Sequence, residues 1–202
     1  MKGYVQVSLK DMIQELGESK VKSILSNFSC PLNEDVEYFL KYKAIEFAKQ
    51  NIAPTHLVFA SYKDKLELVG YFSLTIKTMS VAINSLSSKY RSRIRKFGNI
   101  NPDLKAYLIP APLIAQLGKN YTNGLNGLIT GDELLKLACD KISIVQQDVG
   151  GKVVYLECEE KQKLIDFYSE NGFVSFGKRS LDKDEVDKMD GKYLIQMLKY
   201  MD

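Results

Sequence analysis

The chain has 202 residues, 45% of them hydrophobic and 26% charged, enough for one ordinary globular domain with a real core. No apolar run approaches the roughly 20 residues of a membrane span, and the opening M-K-G-Y-V-Q-V-S-L-K-D lacks a signal peptide's apolar core, so a cytoplasmic protein with no membrane partner is expected. A net charge of +3 is too small to mark the whole molecule for nucleic acid, and three scattered cysteines (Cys30, Cys139, Cys158) with the lone His56 argue against a disulfide framework or zinc site.

Tyr4 to Leu9 alternates like a strand, and Asp11 to Leu25 then places Met12, Ile13, Leu16, Val21, Ile24 and Leu25 at helical intervals. After Phe28-Ser29-Cys30-Pro31, Asn33 to Gln50 carries an apolar stripe of Val36, Phe39, Leu40, Ala44, Phe47 and Ala48, with Asn33 and Asn51 suited to its ends. His56 to Tyr62 and Leu66 to Val81, separated by Lys63-Asp64-Lys65, predict an antiparallel hairpin. Ile83 to Phe97 is a helical stripe (Ile83, Leu86, Tyr90, Ile94, Phe97) crowded by Lys89, Arg91, Arg93, Arg95 and Lys96. That basic segment reads either as a solvated face or as a guide for a polyanion such as tRNA.

Asn99-Ile100-Asn101-Pro102 predicts a turn, and Leu108 to Lys119 an apolar strand whose regular pairing starts near Leu113, after Pro110 and Pro112. The segment from Tyr121 to Gly131 is a glycine-rich turn running into an amphipathic helix from Asp132. A loop of this form can cradle phosphate with backbone N–H groups at a helix N-terminus. Lys152 to Cys158 reads as a central strand. A short helix with Leu164, Ile165, Phe167 and Tyr168 comes next and ends at Gly172, then strands at Gly172 to Arg179 and Lys192 to Met201 flank a charged connection, Asp182 to Asp190.

With F-Y-S-E-N-G-F closing that short helix and the glycine-rich loop upstream of it, the chain resembles the GNAT N-acetyltransferases. G-Y-F-S-L, F-S-C before L-N-E-D-V-E-Y-F-L-K, and I-P-A-P-L-I-A-Q-L are similar to its toxin-type branch, which modifies aminoacyl-tRNA. The resemblance implies an α/β fold: a single domain over 1–202 with a mixed, mostly antiparallel central sheet, flanked by helices and splayed at the cofactor-binding strands. It implies acetyl-CoA as co-substrate and no metal. It makes Tyr168 the general acid that protonates the leaving thiolate, after direct attack by a primary amine. Leu117, Gly118 and Lys119 would line the pantetheine arm by β-addition, and Asn126, Gly127, Leu128, Ile129, Thr130 and Gly131 would hold the pyrophosphate. Partners would be an amine on a small molecule, a peptide or an aminoacyl-tRNA, together with an antitoxin.

The loop departs from the family's Q/R-x-x-G-x-G/A pattern, with Asn126 at the first position and Ile129 in place of the middle glycine. A non-catalytic GNAT-fold binding module whose phosphate loop has drifted is therefore the alternative. Glu157, Glu159 and Glu160 are the available bases, none singled out, and Cys158 reads as core rather than nucleophile.

Overall fold

A computed structural model of the protein describes residues 3–182 and 191–201. Its strands form a sheet in the order β1-β2-β3-β5-β6-β8-β7, with β4 paired to β5 off that path. These are β1 (Tyr4–Ser8), β2 (Thr55–Tyr62), β3 (Lys65–Ala82), β4 (Asn99–Asn101), β5 (Ala106–Lys119), β6 (Val153–Glu159), β7 (Val174–Ser180) and β8 (Tyr193–Tyr200). Two compact units divide the chain, 1–75 with 115–138 and 76–114 with 139–202.

In the first unit, β1 pairs antiparallel with β2, and β2 with β3. Lys63 and Asp64 both take positive φ, 49° and 60°, the conformation of a tight two-residue hairpin turn. The predicted hairpin is present. The stretch expected as one helix is two, α1 (Leu9–Leu16) and α2 (Glu18–Ser26), because Gly17 sits at φ 78°, which a continuing helix forbids and glycine tolerates.

Asn33 caps α3 (Glu34–Tyr38) by accepting from the Val36 N–H at 3.0 Å, as its position predicted. The chain then widens into a π-helical segment, Phe39–Lys43, before α4 (Ala44–Lys49), and the Ala44 N–H reaches back to Phe39. Leu9, Val21, Leu25, Phe28, Leu40, Ala44, Leu57 and Tyr71 form the unit's buried core. The Tyr71 hydroxyl inside it donates to the Val36 carbonyl at 2.6 Å, so burying this phenol leaves no polar group unsatisfied.

In the second unit, the basic helix is shorter than the stripe suggested. β3 carries the chain to Ala82, α5 occupies Ser88–Ile94, and Arg95–Phe97 is a single 3₁₀ turn. Asn99–Asn101, expected as a turn, is strand β4, and it pairs with Ala106–Leu108. Pairing of β5 thus begins before its prolines rather than after them. Pro110 and Pro112 lie inside the strand, between the residues paired with β4 and those paired with β6.

The long helix α6 (Gly131–Val149) belongs in part to each unit. The strand β6, the helix α7 (Gln162–Glu170), β7 and β8 come in the predicted order. Within the charged connection expected at Asp182 to Asp190, residues 183–190 lie outside the described residues. Both β6 and β7 pair antiparallel with β8, whereas β5 and β6 run parallel.

Candidate functional site

Among the described residues the parallel ladder between β5 and β6 takes in Leu113 with Tyr155 and Ile114 with Leu156, and β5 runs on to Lys119. Side chains alternate along that extension. Gly118 turns into the core, where a Cβ would come within 2.3 Å of Val36 Cγ1, so close packing explains its lack of a side chain. Leu117 and Lys119, to either side, are half-buried.

Asn120 ends the strand and anchors the first residues of the loop. Its side chain donates to the Leu68 carbonyl at 2.8 Å and accepts from the N–H groups of Ser29 and Thr122, both at 3.1 Å. The Tyr121 N–H donates to the Ser29 carbonyl at 2.7 Å, and Thr122 Oγ1 to the Asn27 carbonyl at 2.5 Å. Through these bonds the F-S-C segment is laced to the mouth of the glycine-rich loop.

The loop itself is a run of 3₁₀ turns, Thr122–Leu128, kinked where Asn123 and Gly124 take positive φ. Its carbonyls are held by side chains. Lys119 Nζ donates to Asn126 O at 3.1 Å and Ile129 O at 3.2 Å, and the Tyr4 hydroxyl donates to Leu128 O at 3.1 Å. Burial, reinforced by the Glu133 carboxylate, pushes the Tyr4 phenol up to about 12.

Thr130 and Glu133 then form a reciprocal cap at the start of α6. The Glu133 N–H donates to Thr130 Oγ1 at 3.1 Å, and the Thr130 N–H donates to a Glu133 carboxylate oxygen at 2.8 Å. The helix's first turn thus already satisfies an anionic oxygen. Gly131 is its first residue, Asp132 its second, and Gly127 on the loop faces open space.

Tyr168 lies on α7, in the second unit, with its ring packed edge-on between Phe167 (centroids 4.9 Å apart) and Phe173 (6.0 Å). Tyr168 is half-buried, and among the described residues its hydroxyl makes no hydrogen bond; since no buried polar side-chain atom there lacks a partner, this hydroxyl keeps contact with solvent. Burial raises its pKa well above the ordinary phenol value, and the neighbouring Cys158 adds to the effect. Cys158 itself, buried in β6, has its thiol pushed up to about 11, chiefly by burial and then by Glu159. A thiol held protonated in this way is no nucleophile, in keeping with its expected place in the core.

Each of the three acidic candidates for a base is already committed to a cation. Glu157 accepts from Arg179 at 2.5 Å and Gln196 at 2.8 Å; buried Glu159 pairs with Lys161 at 3.0 Å; Glu160 pairs with Lys178.

Among solved structures, the chain is similar to AtaT complexed with acetyl-methionyl-tRNAfMet (17% identity, TM-score 0.60, 96% of this chain and 94% of that one). A tyrosine-to-phenylalanine mutant of KacT gives 15% identity and a TM-score of 0.61 over 96% and 94% of the two chains. AtaTR bound with AcCoA gives 16% and 0.54 over 95% and 91%. The fold is the GNAT fold. No family model matches the chain, and no curated protein matches it.

Within the GNAT fold, the segment that runs strand, loop and long helix is continuous here from Ala106 to Val149, in the order expected from the sequence. Leu117, Gly118, Lys119 and 126–131 all lie on it, inside the first unit. Sequence reasoning missed Tyr4, Asn120 and Glu133. Glu133 had a visible signal, since T-G-D-E is a capping-box pattern; Tyr4 had none, because it meets the loop across 124 residues of chain.

The basic segment is only partly unengaged. Arg91 donates to the Ile83 carbonyl at 3.1 Å and Arg93 lies 4.9 Å over the Tyr200 ring, while Lys89, Arg95 and Lys96 are exposed. Among the described residues no cluster of His, Cys, Asp or Glu is placed to hold a metal, and no helix is long and apolar enough to cross a membrane.

Proposed function

We propose that the protein, as one N-acetyltransferase domain over 1–202, transfers an acetyl group from acetyl-CoA to a primary amine. The observation that carries this reading is the extension of β5 to Lys119, beyond a parallel ladder that ends at Ile114, continued at once by a loop whose carbonyls are tied down and by the N-terminus of α6. An unpaired strand edge suits the amides of a pantetheine arm, and a helix start suits a diphosphate. The same fold in AtaTR bound with AcCoA supports the assignment of the ligand.

In this reading Leu117, Gly118 and Lys119 take the pantetheine arm through their backbone, and 126–131 take the diphosphate. The amine nitrogen attacks the thioester carbonyl, the carbon–sulfur bond breaks, and Tyr168 gives its proton to the departing thiolate. The amine's surplus proton leaves to solvent, and Tyr168 is reprotonated from solvent. The raised pKa keeps the Tyr168 phenol protonated, so its proton is in place when the thiolate departs. In this reading the acceptor amine enters unprotonated, and none of Glu157, Glu159 and Glu160, each paired with a cation, is assigned as its base.

For the acceptor we favour the α-amine of an aminoacyl-tRNA, supported by the fold shared with AtaT in its acetyl-methionyl-tRNAfMet complex and by exposed Lys89, Arg95 and Lys96. An antitoxin partner belongs to the same reading, since AtaT is also known bound to the C-terminus of the antitoxin AtaR. Incubation with radiolabelled acetyl-CoA and aminoacyl-tRNA tests both steps. Label on the aminoacyl-tRNA is expected, and label on a free amine or peptide alone would reassign the acceptor.

A further inference from the structure

The Ile129–Thr130 peptide is gripped from both sides. Its carbonyl accepts from the Lys119 ammonium at 3.2 Å, and its N–H donates to the Glu133 carboxylate at 2.8 Å. In a planar trans peptide the C=O and N–H point in opposite directions, and the chain has no cis bond. A cation that draws the Ile129 carbonyl inward therefore turns the Thr130 N–H outward, toward whatever anionic oxygen stands there. The same ammonium takes Asn126 O at 3.1 Å, so one charge spans the segment that leads into α6.

Lys119 forms no direct ion pair among the described residues, and the Glu133 carboxylate binds the far side of the same peptide. Its remaining recorded neighbour is the Tyr121 ring, 5.8 Å from Nζ. A half-buried ammonium bound only to carbonyl dipoles leaves a positive field on the loop. The field and the peptide orientation favour the same ligand chemistry.

We infer that Lys119 is a positioning residue for the diphosphate of acetyl-CoA: its ammonium holds the Asn126 and Ile129 carbonyls inward so that the amide at the start of α6 faces a phosphate oxygen. This role belongs to the Lys119 side chain and rests on the acetyl-CoA reading of the site. The Glu133 carboxylate accepts at that amide in the free protein, and an incoming phosphate oxygen replaces it there. Tyr4 is the second clamp, holding the Leu128 carbonyl between the two that Lys119 holds.

Titration calorimetry of the wild type, Lys119→Met, Lys119→Arg and Tyr4→Phe, with acetyl-CoA and with S-acetylpantetheine, tests the role. Losing two charge-assisted bonds should weaken acetyl-CoA binding to Lys119→Met about tenfold or more. S-acetylpantetheine, which lacks the diphosphate, should bind that variant within about threefold of wild type, and Lys119→Arg should keep acetyl-CoA within the same margin. Equal binding of acetyl-CoA to wild type and Lys119→Met, or an equal loss for both ligands, overturns the inference while leaving the acetyl-CoA reading in place. Absence of acetyl-CoA binding by the wild type overturns both. Should ligand-free Lys119→Met fail to melt cooperatively, Tyr4→Phe decides: acetyl-CoA about threefold weaker supports the clamp, and unchanged affinity overturns it.

Discussion

The two halves of the proposed chemistry treat their polar groups in opposite ways. From Lys119 to Glu133 the hydrogen-bonding groups that shape the loop are engaged: carbonyls by Lys119 and Tyr4, the Thr130 amide by Glu133, the strand end by Asn120. On α7 the Tyr168 hydroxyl, though its ring is packed between two others, hydrogen-bonds to no described group. The contrast separates two demands. A diphosphate site needs a rigid shape with its donors already aimed, whereas a proton donor is useful only if its proton is not committed elsewhere.

Breaking the first region should have the largest effect. Gly131→Asp adds a negative side chain at the first residue of α6, where the proposed diphosphate meets the helix dipole, and acetyl-CoA binding should fall about 100-fold or more by calorimetry. Retained affinity would place the ligand elsewhere.

Breaking the second region should spare binding and remove rate. Tyr168→Phe keeps the ring between Phe167 and Phe173 but deletes the proton donor, so kcat should drop about 10²-fold with acetyl-CoA affinity nearly unchanged. The raised pKa of Tyr168 keeps it protonated beyond pH 10, so the wild-type rate should not decline near pH 10 from ionisation of this phenol. A decline there that Tyr168→Phe abolished would show an ordinary, solvated phenol.

A change outside both regions tests the acceptor. Because Arg91 and Arg93 carry structural contacts, the cleaner variant replaces Lys89, Arg95 and Lys96 together by Gln. Acetyl-CoA affinity should stay constant, while the slope of log affinity for tRNA against log salt should flatten by about 2 to 3. An unchanged slope leaves the basic segment from Lys89 to Lys96 a solvated face.

The smallest effect sharpens the comparison. Glu133→Gln preserves the reciprocal cap with Thr130 but removes a negative charge that competes for the Thr130 amide, so acetyl-CoA should bind about threefold more tightly. Weaker binding would mean that the carboxylate helps rather than competes.

Local chemistry made much of this legible in the sequence. Asn33 as a cap, the Lys63-Asp64 turn, the loop before α6 and the F-Y-S-E-N-G-F helix end all arise from residue types acting over a few positions. Features fixed by distant partners did not show. Asn99–Asn101 becomes a strand because 106–108 pairs with it despite the prolines beyond, whereas the break at Gly17 is local and was masked by apolar spacing that continues across it. The Lys119 clamp depends on how the chain folds back between residues 119 and 129, which the spacing of residue types does not record.

Calorimetric titration of the unmodified protein with acetyl-CoA tests the central claim most directly, because the loop, the stretch of β5 beyond its ladder with β6 and the Tyr168 hydroxyl have a common purpose only if that ligand binds. Saturable binding near one per chain, with a matching rise in melting temperature as ligand increases, is the predicted result. No heat and no thermal shift at about millimolar acetyl-CoA would contradict the account and leave a GNAT fold that does not use this co-substrate.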